Sequence, residues 1–199
     1  MAITNYTELQ ASVAAWINRS DLTSVIPDFI ALCEAALQVR CKLVEFEATA
    51  TVTITAGVGT LPTGFVGMRS IYWNDSLSQP LQYITPEQFD AMRSWGEGDT
   101  YFYTISGSTI RTSNTETGSA IMTYYAKFVP LSGSNASNAI ITNFPDAYLY
   151  GSLVQACIYT EDDEGAAKYS SLFSNAIERI NDNNAARKYA GATLQVRPA

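Results

Sequence analysis

An α+β fold is expected: a four-helix bundle formed by N- and C-terminal helices, with an inserted small antiparallel β-domain and a C-terminal extended arm. Apolar residues recur at helical spacing before residue 42 and after residue 144, whereas alternation and turn residues fill the stretch between. Neither helical pair can bury its apolar stripe alone, so packing one pair on the other is the economical arrangement. A chain of 199 residues hides roughly 70% of the surface its unfolded form exposes, enough for a sizeable core.

In chain order, Asn5 with Glu8 resembles a capping box, and Leu9, Val13, Trp16 and Ile17 share one helical face, predicting a helix over 5–18. Asn18-Arg19-Ser20-Asp21 breaks that pattern. Pro27 then suits a helix start, and Phe29, Cys33, Ala36, Leu37 and Arg40 continue one stripe, which completes a helical hairpin over 1–42. Past it the period changes to two, with Val52 and Ile54 alternating with threonines. Gly57 to Gly67 punctuate a loop before the apolar run Val66 to Trp73, and Leu81 alternates with Tyr83. Thr85-Pro86-Glu87-Gln88 offers a cap, a first-turn proline and a reciprocal Gln, predicting one short helix to about Trp95. The runs Tyr101 to Ile105, Thr109 to Thr112 and Ile121 to Phe128 read as three consecutive antiparallel strands. The β-domain thus covers 43–130. A polar linker is expected over 131–143, and two helices over 144–184 complete the bundle, the first marked by Tyr150, Leu153, Val154, Cys157 and Ile158, the second by Leu172, Phe173, Ala176, Ile177 and Ile180. The arm is 185–199.

Charge narrows the function. Only 16% of residues are charged, against about 25% in an average soluble domain, which suits association with other subunits. The net charge of -7 argues against a surface that neutralises phosphates. The chain contains no histidine, the side chain that most often shuttles protons near neutral pH or ligates zinc. Cys33, Cys41 and Cys157 form no CxxC pair, and an odd number without a signal peptide points to reduced thiols in a cytosolic compartment. No apolar run approaches a membrane span of roughly 18 residues.

The chemical candidates are few, and no P-loop or GxSxG elbow is present. Glu161-Asp162-Asp163-Glu164 offers hard oxygen ligands, yet consecutive carboxylates do not converge and lack calcium-loop spacing; a helix N-terminus suits them better. Tyr72, Trp73, Tyr101, Phe102, Tyr103, Tyr124 and Tyr125 could form a stacking platform, which would make the β-domain a ligand- or glycan-binding module; cross-strand packing is the plainer use. Arg19 with Asp21 reads as an ion pair pinning the hairpin, with Arg69 as a further candidate charge. No enzyme, metal or cofactor is supported.

Five stretches carry a family resemblance: Trp16 to Leu22, Leu61 to Ile71, Gly98 to Gly107, Tyr124 to Leu131, and Phe144 to Gly151 leading to the acidic cluster. Together they resemble the head-to-tail adaptor, or head-completion, proteins of short-tailed bacteriophages. The sequence departs at Asp99-Thr100, where relatives tend to carry a proline. The resemblance implies a structural virion protein made in the host cytoplasm and placed at the head-tail junction. It implies a ring, of twelve copies, that connects the portal to the tail tube, nozzle or fibre proteins, lines the DNA exit channel and has no catalytic residues. Genomic DNA would pass without specific binding. Carried onto this chain, the C-terminal arm with Tyr189, Leu194, Val196 and Arg197 would seek the portal. Glu161, Asp162, Asp163 and Glu164 are expected on the lumen or at a subunit boundary.

Overall fold

The computed structural model describes residues 2–19, 21–41, 43–75, 78–92, 102–113 and 117–189. They form six helices and one seven-stranded sheet, in two compact units. The helical unit comprises Met1–Glu45 and Phe128–Ala199, and the sheet unit Phe46–Lys127.

Within the helical unit, α1 (Tyr6–Ile17) starts where Asn5 Oδ1 accepts the Glu8 N–H at 3.0 Å. The reciprocal bond is displaced by one residue: Glu8 accepts from the Thr4 N–H and hydroxyl, each at 2.7 Å. The helix ends at Asn18 in the left-handed region, its N–H returning to the Ala14 carbonyl. Leu9 and Val13 are buried, whereas Trp16, expected on the same face, is 52% exposed. Helix α2 (Ile26–Arg40) carries Pro27 in its first turn, where a missing N–H costs nothing.

The stretch expected as a flexible linker is an ordered turn followed by a helix. Ser132 Oγ accepts the Asn135 N–H at 3.0 Å, Asn135 Nδ2 donates to the Pro130 carbonyl at 2.8 Å, and Tyr6 N–H donates to the Ala136 carbonyl at 2.7 Å. Polar side chains here satisfy backbone groups rather than solvate a loose chain. Asn138 then caps α4 (Ala139–Asn143), whose Ile140 and Ile141 are fully buried. Pro145 opens α5 (Pro145–Tyr159), which packs against α1, α2, α4 and α6. Its buried residues include Ala147, Tyr148, Leu153 and Ala156, while Ile158, expected inside, is 59% exposed. Helix α6 (Asp163–Tyr189) buries Phe173, Ala176, Ile177 and Ile180. It continues through residues 185–189, where an extended arm was expected. The Tyr189 side chain and residues 190–199, with Leu194, Val196 and Arg197, lie outside the described residues.

Strands β1 (Glu47–Thr55), β2 (Val58–Thr60), β3 (Phe65–Trp73), β4 (Gln82–Tyr83), β5 (Phe102–Ser106), β6 (Thr109–Thr112) and β7 (Gly118–Ala126) lie in the order β3-β7-β1-β2-β6-β5-β4. The three last strands do not form a consecutive meander. β5 and β6 pair, but β7 inserts between β1 and β3, and β6 pairs with β2 instead. Nor is the sheet wholly antiparallel, because β4 and β5 run parallel. Short β2 is possible because Gly59 has no side chain: a Cβ there would sit 2.7 Å from Ile54 Cδ1 and 2.8 Å from Val52 Cγ1. Helix α3 (Pro86–Met92) begins with both bonds of its capping box, Gln88 N–H to Thr85 Oγ1 at 3.3 Å and Thr85 N–H to Gln88 Oε1 at 3.2 Å. Residues 93–95, to which this helix was expected to run, lie outside the described residues.

Helices of the helical unit approach closely at Gly151 of α5. A Cβ there would overlap Cys33 Sγ and lie 2.9 Å from the Phe173 ring. Gly151→Ala is therefore expected to destabilise the protein by about 1–3 kcal/mol, the usual cost of overpacking, as measured by urea unfolding.

Candidate functional site

The interior of the helical unit is organised around one carboxylate. Glu34, on α2, is only 6% exposed. Its Oε1 accepts the Leu131 N–H at 2.7 Å and the Tyr148 hydroxyl at 2.9 Å. The Tyr148 oxygen accepts in turn from Asn138 Nδ2 at 2.7 Å, and Asn138 Oδ1 accepts the Ile140 and Ile141 N–H groups, each at 3.1 Å. One turn along α2, Gln38 Oε1 accepts the Phe128 N–H at 3.1 Å. Two side chains of α2, one turn apart, thus hold the chain at Phe128 and Leu131. Burial raises the Glu34 carboxyl above the ordinary carboxylate range, outweighing the two donors that lower it. Burial likewise drives the Tyr148 phenol upward. Glu34 and Tyr148 are both buried, and the network acts as a structural clasp.

A cleft of about 290 Å³ lies where the C-terminal ends of α1 and α5 meet the start of α6. It is lined among others by Trp16, Arg19, Leu153, Cys157, Asp162 and Tyr169. The Trp16 ring sits 6.3 Å from both Tyr150 and Tyr169. Arg19 grips Asp21 with both arms, Nε to Oδ1 at 2.8 Å and Nη2 to Oδ2 at 2.7 Å, and both side chains are more than half exposed. Such a pair shapes the connection between α1 and α2 and contributes little stability.

The acidic run is divided by backbone geometry. Glu161 occupies the left-handed region at φ 57°, Asp162 Oδ1 accepts the Gly165 N–H at 3.0 Å, and Asp163 and Glu164 occupy the first turn of α6. All four are exposed, and carboxylates at a helix N-terminus are favoured by its partial positive charge. Among the described residues no three metal-binding side chains converge.

Of the aromatic residues, Trp73, Tyr103 and Tyr124 belong to the sheet unit's core. Phe65 stacks on Tyr124 at 5.8 Å, and Tyr83 meets Tyr103 edge-on at 5.5 Å. Tyr72, Phe102 and Tyr125 are half-buried, and Tyr101 lies outside the described residues. Arg69 pairs with Glu47. All three cysteines are buried thiols; burial pushes Cys41 up to about 11 and raises Cys33 and Cys157 as well, the opposite of what a nucleophile needs.

A family model, that of the SU10 adaptor protein, matches residues 4–197. The chain belongs to the SU10 adaptor family. This is a family of phage head-tail adaptors, structural components of the virion that interact with other virion proteins. No curated protein matches the chain. No helix among the described residues is long and apolar enough to cross a membrane.

Sequence reasoning brought Arg19 and Asp21 together but did not connect them with the acidic run; in this adaptor Arg19 and Asp162 line one cleft. Sequence reasoning also missed Glu34, Asn138 and Tyr148. The available signal was a lone carboxylate in the apolar stretch Phe29 to Leu37. Replacing it by Ala leaves the Leu131 N–H and Tyr148 hydroxyl without an acceptor, so Glu34→Ala is expected to cost about 2–4 kcal/mol in chemical unfolding. Glu34→Gln keeps an acceptor oxygen and removes the buried charge. Because the folded-state pKa lies above the unfolded value, Glu34 contributes stability below about pH 4.5 that is lost as pH rises through its folded pKa. A pH series of unfolding free energies is expected to show that decline in the wild type and a flatter profile in Glu34→Gln.

Proposed function

We propose that this chain forms a ring of twelve copies between the portal and the tail of a short-tailed phage, and that genomic DNA leaves the head through the ring. The family match over residues 4–197 carries the reading. Its charge supports a passage that does not grip DNA. The net charge is -7, and Arg19, Arg69, Arg111, Arg179 and Arg187 each spend their charge on a carboxylate, Asp21, Glu47, Asp90, Asp146 and Glu45 respectively. Each free cation on a channel wall would add a salt-dependent phosphate contact and hence drag.

In this reading the helices form the bundle that builds the ring, and the sheet unit meets the tail tube, nozzle or fibre proteins. The acidic residues 161–164 lie on the lumen or at a subunit boundary. The C-terminal segment with Tyr189, Leu194, Val196 and Arg197 engages the portal. A glycan-binding role for the sheet unit gains no support from Tyr103, which is only 6% exposed.

Co-expression with the portal protein of the same virus, followed by electron microscopy, tests the reading: a ring stacked on the portal is expected, and a chain that neither assembles on the portal nor copurifies with it would contradict it. Deleting residues 190–199 is expected to abolish copurification while leaving the thermal unfolding midpoint unchanged. Retained copurification would remove the arm from the portal contact.

A further inference from the structure

Strand β1 keeps an open edge. The turn Ala56-Gly57, with both residues at positive φ (51° and 77°), closes a two-residue hairpin in which Thr55 stands opposite Val58. The Thr55 N–H and C=O therefore point toward β2, and by the alternation of a strand those of Thr49 and Thr51 point the same way. Strand β2 ends at Thr60 and does not reach them; among the described residues these groups of Thr49 and Thr51 have no partner. On its other side β1 pairs with β7 in unbroken register from Glu47 to Ile54. Natural sheets blunt such edges with bulges, proline or lysine. Strand β3 carries two bulges, whereas β1 has neither bulge, proline nor lysine. Its core-side residues at this end are small, Ala48 and Ala50, both only half-buried against the core.

A segment with the pattern of a strand follows α6 in the sequence. Residues 193–197 read Thr-Leu-Gln-Val-Arg, so that apolar Leu194 and Val196 alternate with polar neighbours, and Gly191 and Pro198 bound the run. Alternation of this kind serves a strand with one face covered, and a lone strand needs another to pair with. The end of α6 is tied to the residues that lead into β1: Asn184 Oδ1 accepts the Val44 N–H at 2.8 Å, and Arg187 pairs with Glu45. From Glu45 the chain enters β1 at Glu47, and from Arg187 it soon reaches residue 190. A segment as long as 190–199 extends to about 35 Å, whereas the stretch from Glu47 to Thr51 is roughly 13 Å long. The segment therefore starts beside the open edge and is long enough to cover it.

We propose that in the free chain residues 193–197 lie along the open edge of β1 as its parallel partner. A segment that starts beside Glu47 runs in the direction of β1. With Leu194 beside Ala48 and Val196 beside Ala50, both large side chains fall on the core side, over the two alanines, and Thr193, Gln195 and Arg197 fall on the outer side with the threonines of β1. In that register the Leu194 and Val196 carbonyls accept the N–H groups of Thr49 and Thr51, and the Val196 N–H donates to the Thr49 carbonyl. Pro198 then stands beside Val52 and, having no N–H, ends the ladder. The assignment goes beyond the proposed function: the segment that engages the portal there is carried on the sheet of its own chain until the portal takes it up. Meanwhile a regular strand edge is kept from pairing with other chains.

Amide hydrogen exchange of the isolated full chain, followed residue by residue by NMR, tests the assignment without the portal and so apart from the ring reading. The Thr49 and Thr51 amides are expected to be protected in the wild type and to lose that protection in a chain ending at residue 189. Ala50 and Val52, whose N–H groups point to β7, are expected to stay protected in both and report an intact sheet. Leu194→Asp and Val196→Asp are expected to expose Thr49 and Thr51, whereas Thr193→Asp and Gln195→Asp leave them protected. Should the shortened chain lose protection at Ala50 and Val52 as well, the four point substitutions decide alone. Equal exchange at Thr49 and Thr51 with and without residues 190–199 would overturn the assignment, and so would four substitutions that behave alike. Protection that falls on dilution would overturn it in favour of the same segment from a second copy.

Discussion

Glu34 sits where α2, α5 and the chain arriving at Leu131 meet, and the helical unit takes its arrangement from satisfying that one carboxylate. A buried charge is costly unless its lone pairs are used, so Tyr148 must come from α5 and Leu131 must follow the sheet unit at a fixed point. Tyr148 then needs a donor, which Asn138 supplies while capping α4. Gln38 adds a second grip on the same segment. Close packing completes the arrangement at Gly151, which brings α5 within contact of Cys33 on α2 and Phe173 on α6. An apolar residue at 34 could pack equally well, but it would not specify where residues 128–138 attach.

The clasp has a consequence for the outside. With Glu34 and Gln38 committed inward, Ala31, Leu32, Ala35 and Val39 are left exposed along α2, together with Asp28 and Arg40 near its ends. Elsewhere in the chain five arginines are paired with five carboxylates. What remains is a weakly charged, net acidic protein, a composition that suits an adaptor's association with other virion proteins.

Local signals in the sequence were strong where a backbone group needs a nearby partner. Asn5 with Glu8, Thr85 with Gln88, Pro27 and Pro145 each mark a helix start through a requirement of that turn alone. Arg19 and Asp21 were legible for the same reason, two residues apart in one connection. Alternation identified most strands but carries no information about partners, and so the place of β7 between β1 and β3 was not legible. Strand β2 was too short to show a period, and α4 was hidden because Ser and Asn that cap and turn resemble Ser and Asn that solvate a linker. Trp16 and Ile158 were read onto the buried face although both are more than half exposed, because an apolar side chain at helical spacing does not by itself decide burial. Glu34 and the cleft joining Trp16 to Asp162 and Tyr169 arise only from contacts between distant segments.

The most direct measurement is the structure of this chain in place, from cryo-electron microscopy of the neck of the intact virion. The account predicts a closed ring of identical copies at the portal, with Glu34 still bonded to Tyr148 in each copy. A chain found elsewhere in the particle, or copies at the portal in which Glu34 has parted from Tyr148, would contradict it.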